Sequence, residues 1–210
     1  MKNKLIILYI IILPITTCTK SVDNVPGSNP VKSLNATPVV SSQFVTYTIL
    51  KGQQYCDKNV YQPINYEQLS FIVKFDSSAI YRTADPNNQN DINKLFGFSD
   101  NNATHHEYSA RFGWRWSNNA LRLFGYIYNN SMVSYKELGT VAIGTENSCD
   151  VKVSDSTYIF TLNGKSVIMP RENKTAKAVG YKLYPYFGGD EVAPHTITIA
   201  IKELQNLFDK

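Results

Sequence analysis

Residues 105–128, HHEYSARFGWRWSNNALRLFGYIY, contain two consecutive runs in which side chains of different chemistry alternate. One parity of the first run is aromatic or small, namely Tyr108, Ala110, Phe112, Trp114 and Trp116. The other parity holds Arg111 and Arg115, and successive side chains of a strand point to opposite faces. In the second run aliphatic residues alternate with Phe124, Tyr126 and Tyr128. The pattern predicts a hairpin with Trp114 and Trp116 in the core and a second face that a ligand could contact.

Strand patterns of this kind continue on both sides of the hairpin. We predict strands at Phe44–Leu50, Leu69–Phe75, Lys94–Phe98, Tyr108–Trp116, Leu121–Tyr128, Val133–Leu138, Val151–Val153, Tyr158–Leu162, Ser166–Met169, Val179–Phe187 and Thr196–Ile201. Asn163-Gly164 predicts a type I′ hairpin turn, because both residues tolerate positive φ. Helical periodicity is confined to Lys202–Phe208 and Asp91–Leu95, where we expect short turns of helix. The predicted fold class is all-β.

Many short strands without a repeat period predict two antiparallel sheets packed as a β-sandwich, with a closed barrel as the alternative. The Asn-Gly hairpin, the Gly188-Gly189 loop and the final strand TITIAI resemble the second half of concanavalin A-like lectin/glucanase jelly rolls. That resemblance implies a sandwich of the jelly-roll type. The blocks FGFSD, ARFGWRW and GYKLYPYFGGDEVAPH are similar to uncharacterised lipoproteins of Gram-negative bacteria, which implies a location in the cell envelope.

The N-terminus has the layout of a secretory signal, with Lys2 and Lys4 followed by an apolar run that is too short to span a bilayer. Cys18 follows a segment that resembles the lipobox of bacterial lipoproteins, which implies lipidation of Cys18. We predict a signal peptide over 1–17, a flexible Ser-, Asn- and Pro-rich tether over 18–43 and the sandwich domain over 44–210. The expected location is the bacterial cell envelope, with contact to the membrane through the lipid only. Cleavage without lipidation is the alternative.

Charge and cysteine content limit the classes of partner. The net charge is +4, but no cluster of Lys and Arg resembles a phosphate-binding stripe, so we expect no nucleic-acid partner. Cys56 and Cys149 would be exported to a compartment that permits oxidation, which makes them candidates for a disulfide. The Asn-rich segment after Asp85 lacks the Gly and Glu of an EF-hand, and His105-His106 would diverge on a strand. We therefore predict no metal site and no cofactor.

Aromatic platforms flanked by polar side chains are typical of carbohydrate sites, since sugars present flat apolar faces edged by hydroxyl groups. We predict that the ligand-binding residues are Arg111, Arg115, Tyr126, Tyr128, Tyr186 and Asp190. The leading hypothesis is a non-catalytic carbohydrate-binding protein with an extracellular glycan as partner. No residue is assigned a catalytic role under this hypothesis.

Two alternatives remain open. A polysaccharide lyase acting on uronates needs a cation to neutralise the carboxylate, a base and an acid. Arg111 and Arg115 could neutralise, and the candidates for base and acid are His105, His106, His195 and Tyr186. A retaining glycosidase is disfavoured because Asp190 and Glu191 are adjacent and would point apart on a strand. The second alternative is a structural envelope protein in which all these side chains are buried.

Overall fold

The computed structural model describes residues 43–204. The predicted signal peptide, Cys18, residues 18–42 of the tether and residues 205–210 lie outside the described residues. Among the described residues, no helix has the length and apolar character that a membrane span requires.

Twelve strands form two antiparallel sheets of six. In spatial order, the first sheet contains β1 (Val45–Ile49), β12 (Ile197–Leu204), β3 (Gln68–Phe75), β8 (Glu146–Val153), β9 (Thr157–Leu162) and β10 (Lys165–Pro170). The second sheet contains β2 (Pro63–Tyr66), β11 (Ala178–Leu183), β4 (Asn93–Ser99), β5 (Tyr108–Ser117), β6 (Ala120–Asn129) and β7 (Met132–Val141). Within residues 43–204 the first and last strands of each sheet do not pair with each other, so the sandwich is confirmed and the closed barrel is wrong.

The core lies between the two sheets and is rich in aromatic rings. Phe71 of β3 packs edge-to-face against Phe112 of β5, with ring centroids 5.4 Å apart, and Phe112 makes the same contact with Phe160 of β9. Trp114 is fully buried, as predicted, whereas Trp116 is half-buried at the end of the sandwich. The apolar parity of the β5–β6 hairpin therefore faces the first sheet, and its other parity faces away from the core.

The turns follow the local sequence. Asn163 and Gly164 have φ angles of 48° and 84°, which confirms the predicted hairpin between β9 and β10. The β5–β6 turn uses Asn118 and Asn119 with φ angles of 51° and 54°, a conformation that Asn tolerates better than most residues.

Some element predictions are wrong. The segment predicted as helical at Asp91–Leu95 enters β4, and a 3₁₀ turn at Pro86–Asn90 precedes it instead. Lys202–Leu204 continue β12, so the described part of the predicted C-terminal helix is extended. The strand predicted at Val179–Phe187 ends at Leu183, because Pro185 has no N–H to donate. The strand β2 was not predicted, since its four residues are too short for a clear alternation.

The disulfide between Cys56 and Cys149 does not form, and both residues are buried free thiols. Cys56 pairs with Ile49 on the side of β1 that faces away from β12, whereas Cys149 lies in β8. The strand order separates them by four spacings of about 4.8 Å each, well beyond the roughly 7 Å that a disulfide spans between Cα atoms. Burial raises the pKa of both thiols.

Candidate ligand-binding groove

A groove of about 500 Å³ lies on the face of the second sheet that points away from the core. Its floor comes from four adjacent strands, which contribute Tyr181 of β11, Lys94 of β4, Arg111 of β5, and Tyr126 and Tyr128 of β6. The walls are the segment between β1 and β2, the segment after β11, and the loop between β4 and β5; they contribute Tyr55, Asn59, Val60, Tyr61, Tyr184, Pro185, Tyr186, His105 and His106.

Strand register explains why the floor residues meet. Arg111 and Tyr126 are directly opposite each other in the β5–β6 ladder, and Gly97 of β4 is opposite Arg111 on the other side. A Cβ atom on Gly97 would lie 2.3 Å from the Cβ atom of Arg111. Only glycine therefore leaves space for the arginine side chain at this position of the sheet.

Arg111 is the unusual residue of the groove. Its side chain lies in the groove floor with 7% of the residue exposed, and burial lowers its pKa. Within residues 43–204 the guanidinium has no ion-pair or hydrogen-bond partner, and its Nε–H is buried without an acceptor. The guanidinium lies over the ring of Tyr126, whose centroid is 5.8 Å from Cζ. The positive charge of Arg111 is therefore buried and unpaired.

Lys94 adds a second positive charge beside the same aromatic ring. Its Nζ lies 4.6 Å from the centroid of Tyr126 and donates a 2.6 Å hydrogen bond to the carbonyl of Ile92. Burial, followed by the neighbouring charge of Arg111, lowers the pKa of Lys94 to about 8. None of the groove-lining residues in the described part of the chain is acidic.

His105 and Tyr181 form a hydrogen-bonded pair at one end of the groove. Nδ1 of His105 lies 2.8 Å from the Tyr181 hydroxyl, which also accepts a 3.2 Å hydrogen bond from the backbone N–H of His105. Burial and then the positive charge of Arg111 lower the pKa of His105 to about 4. The imidazole is consequently neutral at neutral pH.

Tyrosine rings form the walls on either side of these polar groups. Tyr55 packs edge-to-face on Tyr186 with centroids 4.9 Å apart, and Tyr61 packs at a tilt on Tyr181 at 5.7 Å. The outer rings remain accessible, since Tyr55 is 64% and Tyr61 78% exposed. Two backbone hydrogen bonds between Tyr186 and Lys94, of 2.8 and 2.9 Å, attach one wall to β4.

Four of the six predicted ligand-binding residues line the groove: Arg111, Tyr126, Tyr128 and Tyr186. Arg115 shares a face of β5 with Arg111 but lies outside the groove, over the ring of Phe124, and donates to the carbonyl of Asn90. Ile92 fills the space above Gly113, between the two arginines in the sequence of β5. Asp190 is exposed outside the groove lining, and its backbone N–H donates to the carboxylate of Asp91.

Glu191 and His195, which were also considered as functional residues from the sequence, lie outside the groove lining. Glu191 accepts hydrogen bonds from the backbone of Ala84 and Asp85, which with the Asn88 amide lower its pKa. His195 contacts the carbonyl of Ser78, away from the groove. Among the described residues, no group of three or more His, Cys, Asp and Glu side chains is arranged to hold a metal ion.

Sequence patterns did not identify Lys94, Tyr55 or Tyr61 as site residues. Lys94 precedes a register shift in the β4–β5 pairing, and the strand is buried on both faces, so its alternation is not visible. Tyr55 and Tyr61 belong to a segment without periodicity. The one feature of the sequence that could have indicated Tyr55 and Tyr61 as site residues is that they are tyrosines close to glycine and proline.

Several solved structures share this architecture. An alginate lyase from Pseudomonas aeruginosa superposes with a TM-score of 0.55 at 10% identity, covering 79% of this chain and 83% of that chain. An alginate lyase from a Chlorella virus gives 0.50 at 12% identity, covering 77% and 83%. A family 16 endo-glucanase from Bacteroides ovatus gives 0.50 at 10% identity, covering 77% and 80%. The fold is a jelly-roll β-sandwich.

The jelly-roll assignment confirms the predicted all-β sandwich and is consistent with the resemblance to concanavalin A-like folds. At identities this low, the likeness concerns the fold alone. The chain matches no protein-family model, and no curated protein resembles it in sequence. The resemblance to envelope lipoproteins therefore stays a prediction.

Proposed function

We propose that this domain binds an acidic glycan in the groove, with a uronate carboxylate paired to Arg111. The observation that supports the proposal is the buried guanidinium without an acceptor. An arginine fork forms two parallel hydrogen bonds with a carboxylate. A buried charge without a partner is costly to the folded protein, and an anionic ligand would offset that cost.

The remaining groove chemistry agrees with a uronate better than with a neutral sugar. Lys94 lies beside the same ring and adds positive charge, and no carboxylate lines the groove to repel an anion. The exposed rings of Tyr55 and Tyr61 provide flat surfaces on which sugar rings can stack. Alginate lyases and glucanases among the proteins of similar fold support a glycan partner, while the preference for an acidic sugar rests on Arg111 and Lys94.

A second candidate is a lyase that cleaves the same glycan by β-elimination. Its support is the neutral imidazole of His105, paired with Tyr181 and close enough to Arg111 for that charge to lower its pKa. His105 would remove the proton on the carbon beside the uronate carboxylate, whose developing charge Arg111 would stabilise. The bond to the bridging oxygen at the next carbon then breaks, and Tyr186 would protonate that oxygen. The products are one fragment with a new reducing end and a second fragment that begins with an unsaturated uronate.

The remaining alternatives have less support. A retaining glycosidase needs two carboxyl groups across the substrate, and neither Asp190 nor Glu191 lines the groove. A structural envelope protein requires these aromatic side chains to be buried, whereas Tyr55 and Tyr61 are exposed at the groove rim.

The test uses polygalacturonate, mannuronate and guluronate polymers, with cellulose and laminarin as neutral comparisons. Retention of the protein on each immobilised polymer is measured together with the ultraviolet absorbance of the unsaturated uronate. Retention on uronates without absorbance supports the binder, and absorbance supports the lyase. Failure of every uronate polymer to retain the protein or yield product contradicts both.

Arg111→Met is the decisive variant, and Arg115→Met is its matched control on the same face of the same strand. We expect Arg111→Met to weaken binding of uronate oligosaccharides by about tenfold or more, since a hydrogen bond to a charged group contributes about 1.5–3 kcal/mol. Arg115→Met leaves the groove lining unchanged, so this variant should bind uronate oligosaccharides with the affinity of the parent protein. His105→Gln should abolish product formation without abolishing retention if the lyase hypothesis is right.

For the location we propose export and lipid attachment at Cys18, on the basis of the sequence alone. The test is metabolic labelling with a fatty acid in a Gram-negative host. Cys18→Ser should remove the label and release the protein from the membrane fraction. A parent protein without label contradicts the lipid anchor but leaves the glycan proposal intact.

A further inference from the structure

A second cavity, of about 350 Å³, lies at the turn that joins β5 to β6. Its lining includes Trp116, Arg82, Asn118 and Asn119, and we call it the turn cavity. We propose that the turn cavity is a separate carbohydrate site that takes one pyranose residue of a glycan against Trp116. Arg111 and Ser117 are six positions apart on β5, so roughly 20 Å separates their Cα atoms along the strand.

Trp116 offers a fixed aromatic surface. It belongs to the apolar parity of β5, but it sits at the end of the sandwich and is half-buried against the core. The Gln89 amide connects two residues of the cavity lining. Its Nε2 donates a 2.7 Å hydrogen bond to the carbonyl of Trp116 and a 3.2 Å hydrogen bond to the carbonyl of Tyr81. Trp116 therefore lines the turn cavity from a backbone position that the Gln89 hydrogen bond holds.

The polar groups around the indole are free to bind a ligand. Arg82, Asn118 and Asn119 are exposed, and none of the three side chains has a hydrogen-bond or ion-pair partner in the described segment 43–204. The turn holds both asparagines at positive φ, which fixes the directions of their Cα–Cβ bonds. The Ser117 hydroxyl is also unpartnered, but its oxygen is shielded from solvent and is not counted as a contact.

These groups match a sugar better than another small ligand. An indole face accommodates the apolar face of a pyranose, while amides and a guanidinium bond its ring-edge hydroxyls. No carboxylate lines the turn cavity, so nothing there repels a charged sugar. Unlike Arg111, Arg82 is exposed and needs no anion for compensation, so we expect the turn cavity to accept neutral and acidic oligosaccharides alike.

Tryptophan fluorescence distinguishes this site from the groove. The sequence has two tryptophans, Trp114 and Trp116, and Trp114 is fully buried in the core. The full chain, kept in detergent solution, is titrated with cellotetraose, xylotetraose and trigalacturonate while emission is recorded. We expect a saturable change with at least one neutral oligosaccharide, and Trp116→Phe should remove that change.

Three variants test the origin of the signal. Arg82→Ala should weaken the fluorescence-derived affinity about fivefold, as the loss of one hydrogen bond predicts. Asn118→Gly preserves the positive-φ turn and should weaken the fluorescence-derived affinity to a similar degree. Arg111→Met should leave this affinity unchanged.

The outcomes separate this proposal from the proposed function. Absence of a saturable change with all three oligosaccharides overturns the turn cavity as a sugar site. A change that Arg111→Met removes and Arg82→Ala preserves also overturns it, because the signal then comes from the groove. A persistent Trp116 signal without retention on uronate polymers supports the turn cavity and contradicts the groove proposal alone.

Discussion

Two arginines of this domain are almost completely buried, but their surroundings differ. Arg171 is 3% exposed and forms a fully buried ion pair with Asp100, at 2.7 Å between Nε and Oδ2. Its other N–H groups donate to the carbonyls of Ser154, Thr175 and Lys177. Arg111 is 7% exposed, with no acceptor in the described part of the chain. The fold satisfies Arg171 completely and leaves Arg111 unsatisfied.

The comparison separates a structural charge from one that is available to a ligand. Asp100 directly follows β4 of the second sheet. Its carboxylate also accepts a 2.6 Å hydrogen bond from the hydroxyl of Tyr158, which lies in β9 of the first sheet. The Arg171 network therefore connects the two sheets inside the protein. Arg111 lies on the outer face of one sheet, where a carboxylate entering from solvent can reach the groove.

Removal of one partner of the Arg171–Asp100 ion pair should change the stability most. Arg171→Met leaves the Asp100 carboxylate buried without its cation, and we expect the free energy of unfolding to fall by about 3–5 kcal/mol. Urea unfolding followed by circular dichroism measures the change. Removing both partners, with Asp100→Leu and Arg171→Met together, should restore part of the loss. A single variant as stable as the parent would mean that the pair is not structural.

Replacement of Arg111, in contrast, should not destabilise the folded protein. Arg111→Met removes no internal hydrogen bond and relieves the cost of an unpaired buried charge, so we expect the free energy of unfolding to stay within about 1 kcal/mol or to increase. The same urea experiment measures it, and Arg115→Met is the control. A loss of several kcal/mol would indicate that Arg111, like Arg171, serves the fold.

The smallest effect concerns the pH dependence of the groove. The pKa of Lys94 is about 8, so its charge is lost as the pH rises from 7 to 9, while uronate carboxylates stay ionised. We expect the affinity for trigalacturonate to fall about fivefold over this range, which corresponds to the weak coupling of a partly exposed ion pair. Calorimetric titration at each pH measures the affinity. Lys94→Met should bind more weakly at pH 7 and show no such dependence.

The contribution of Lys94 to the free energy of unfolding should increase with pH, whereas the affinity for the ligand falls. An unfolded Lys binds its proton up to about pH 10.4, whereas folded Lys94 releases it near 8. The unfolded chain therefore holds more protons between these values, and the contribution of Lys94 to stability increases as the pH rises through them. An affinity that increased together with stability would argue against Lys94 as a contact of the anion.

Much of the fold was predictable because alternation is a local property. The β5–β6 hairpin, its core parity and the Asn163-Gly164 turn were all assigned from neighbouring residues. The short strand β2 and the irregular segment after Leu183 were not, since their conformations depend on pairing with distant strands.

The candidate site was predictable on regular strands and in one tyrosine-rich segment. Arg111, Tyr126 and Tyr128 were found from parity, and Tyr186 from the tyrosine-rich segment before Gly188. Lys94 was missed because a register shift interrupts β4, and Tyr55 because its position depends on the path of a loop. Arg115 has the same parity as Arg111, and no sequence pattern indicates that Ile92 and the turn at Pro86–Asn90 occupy the space beside it.

Alternation in the sequence was sufficient to predict which side chains of the hairpin face the core and which face outward, because a pleated strand alternates with period two. The burial of Arg111 without an acceptor and the complete pairing of Arg171 are visible only in the folded protein. Whether a charge finds a partner depends on which distant residues the sheets bring beside it, and alternation along one strand contains no information about them.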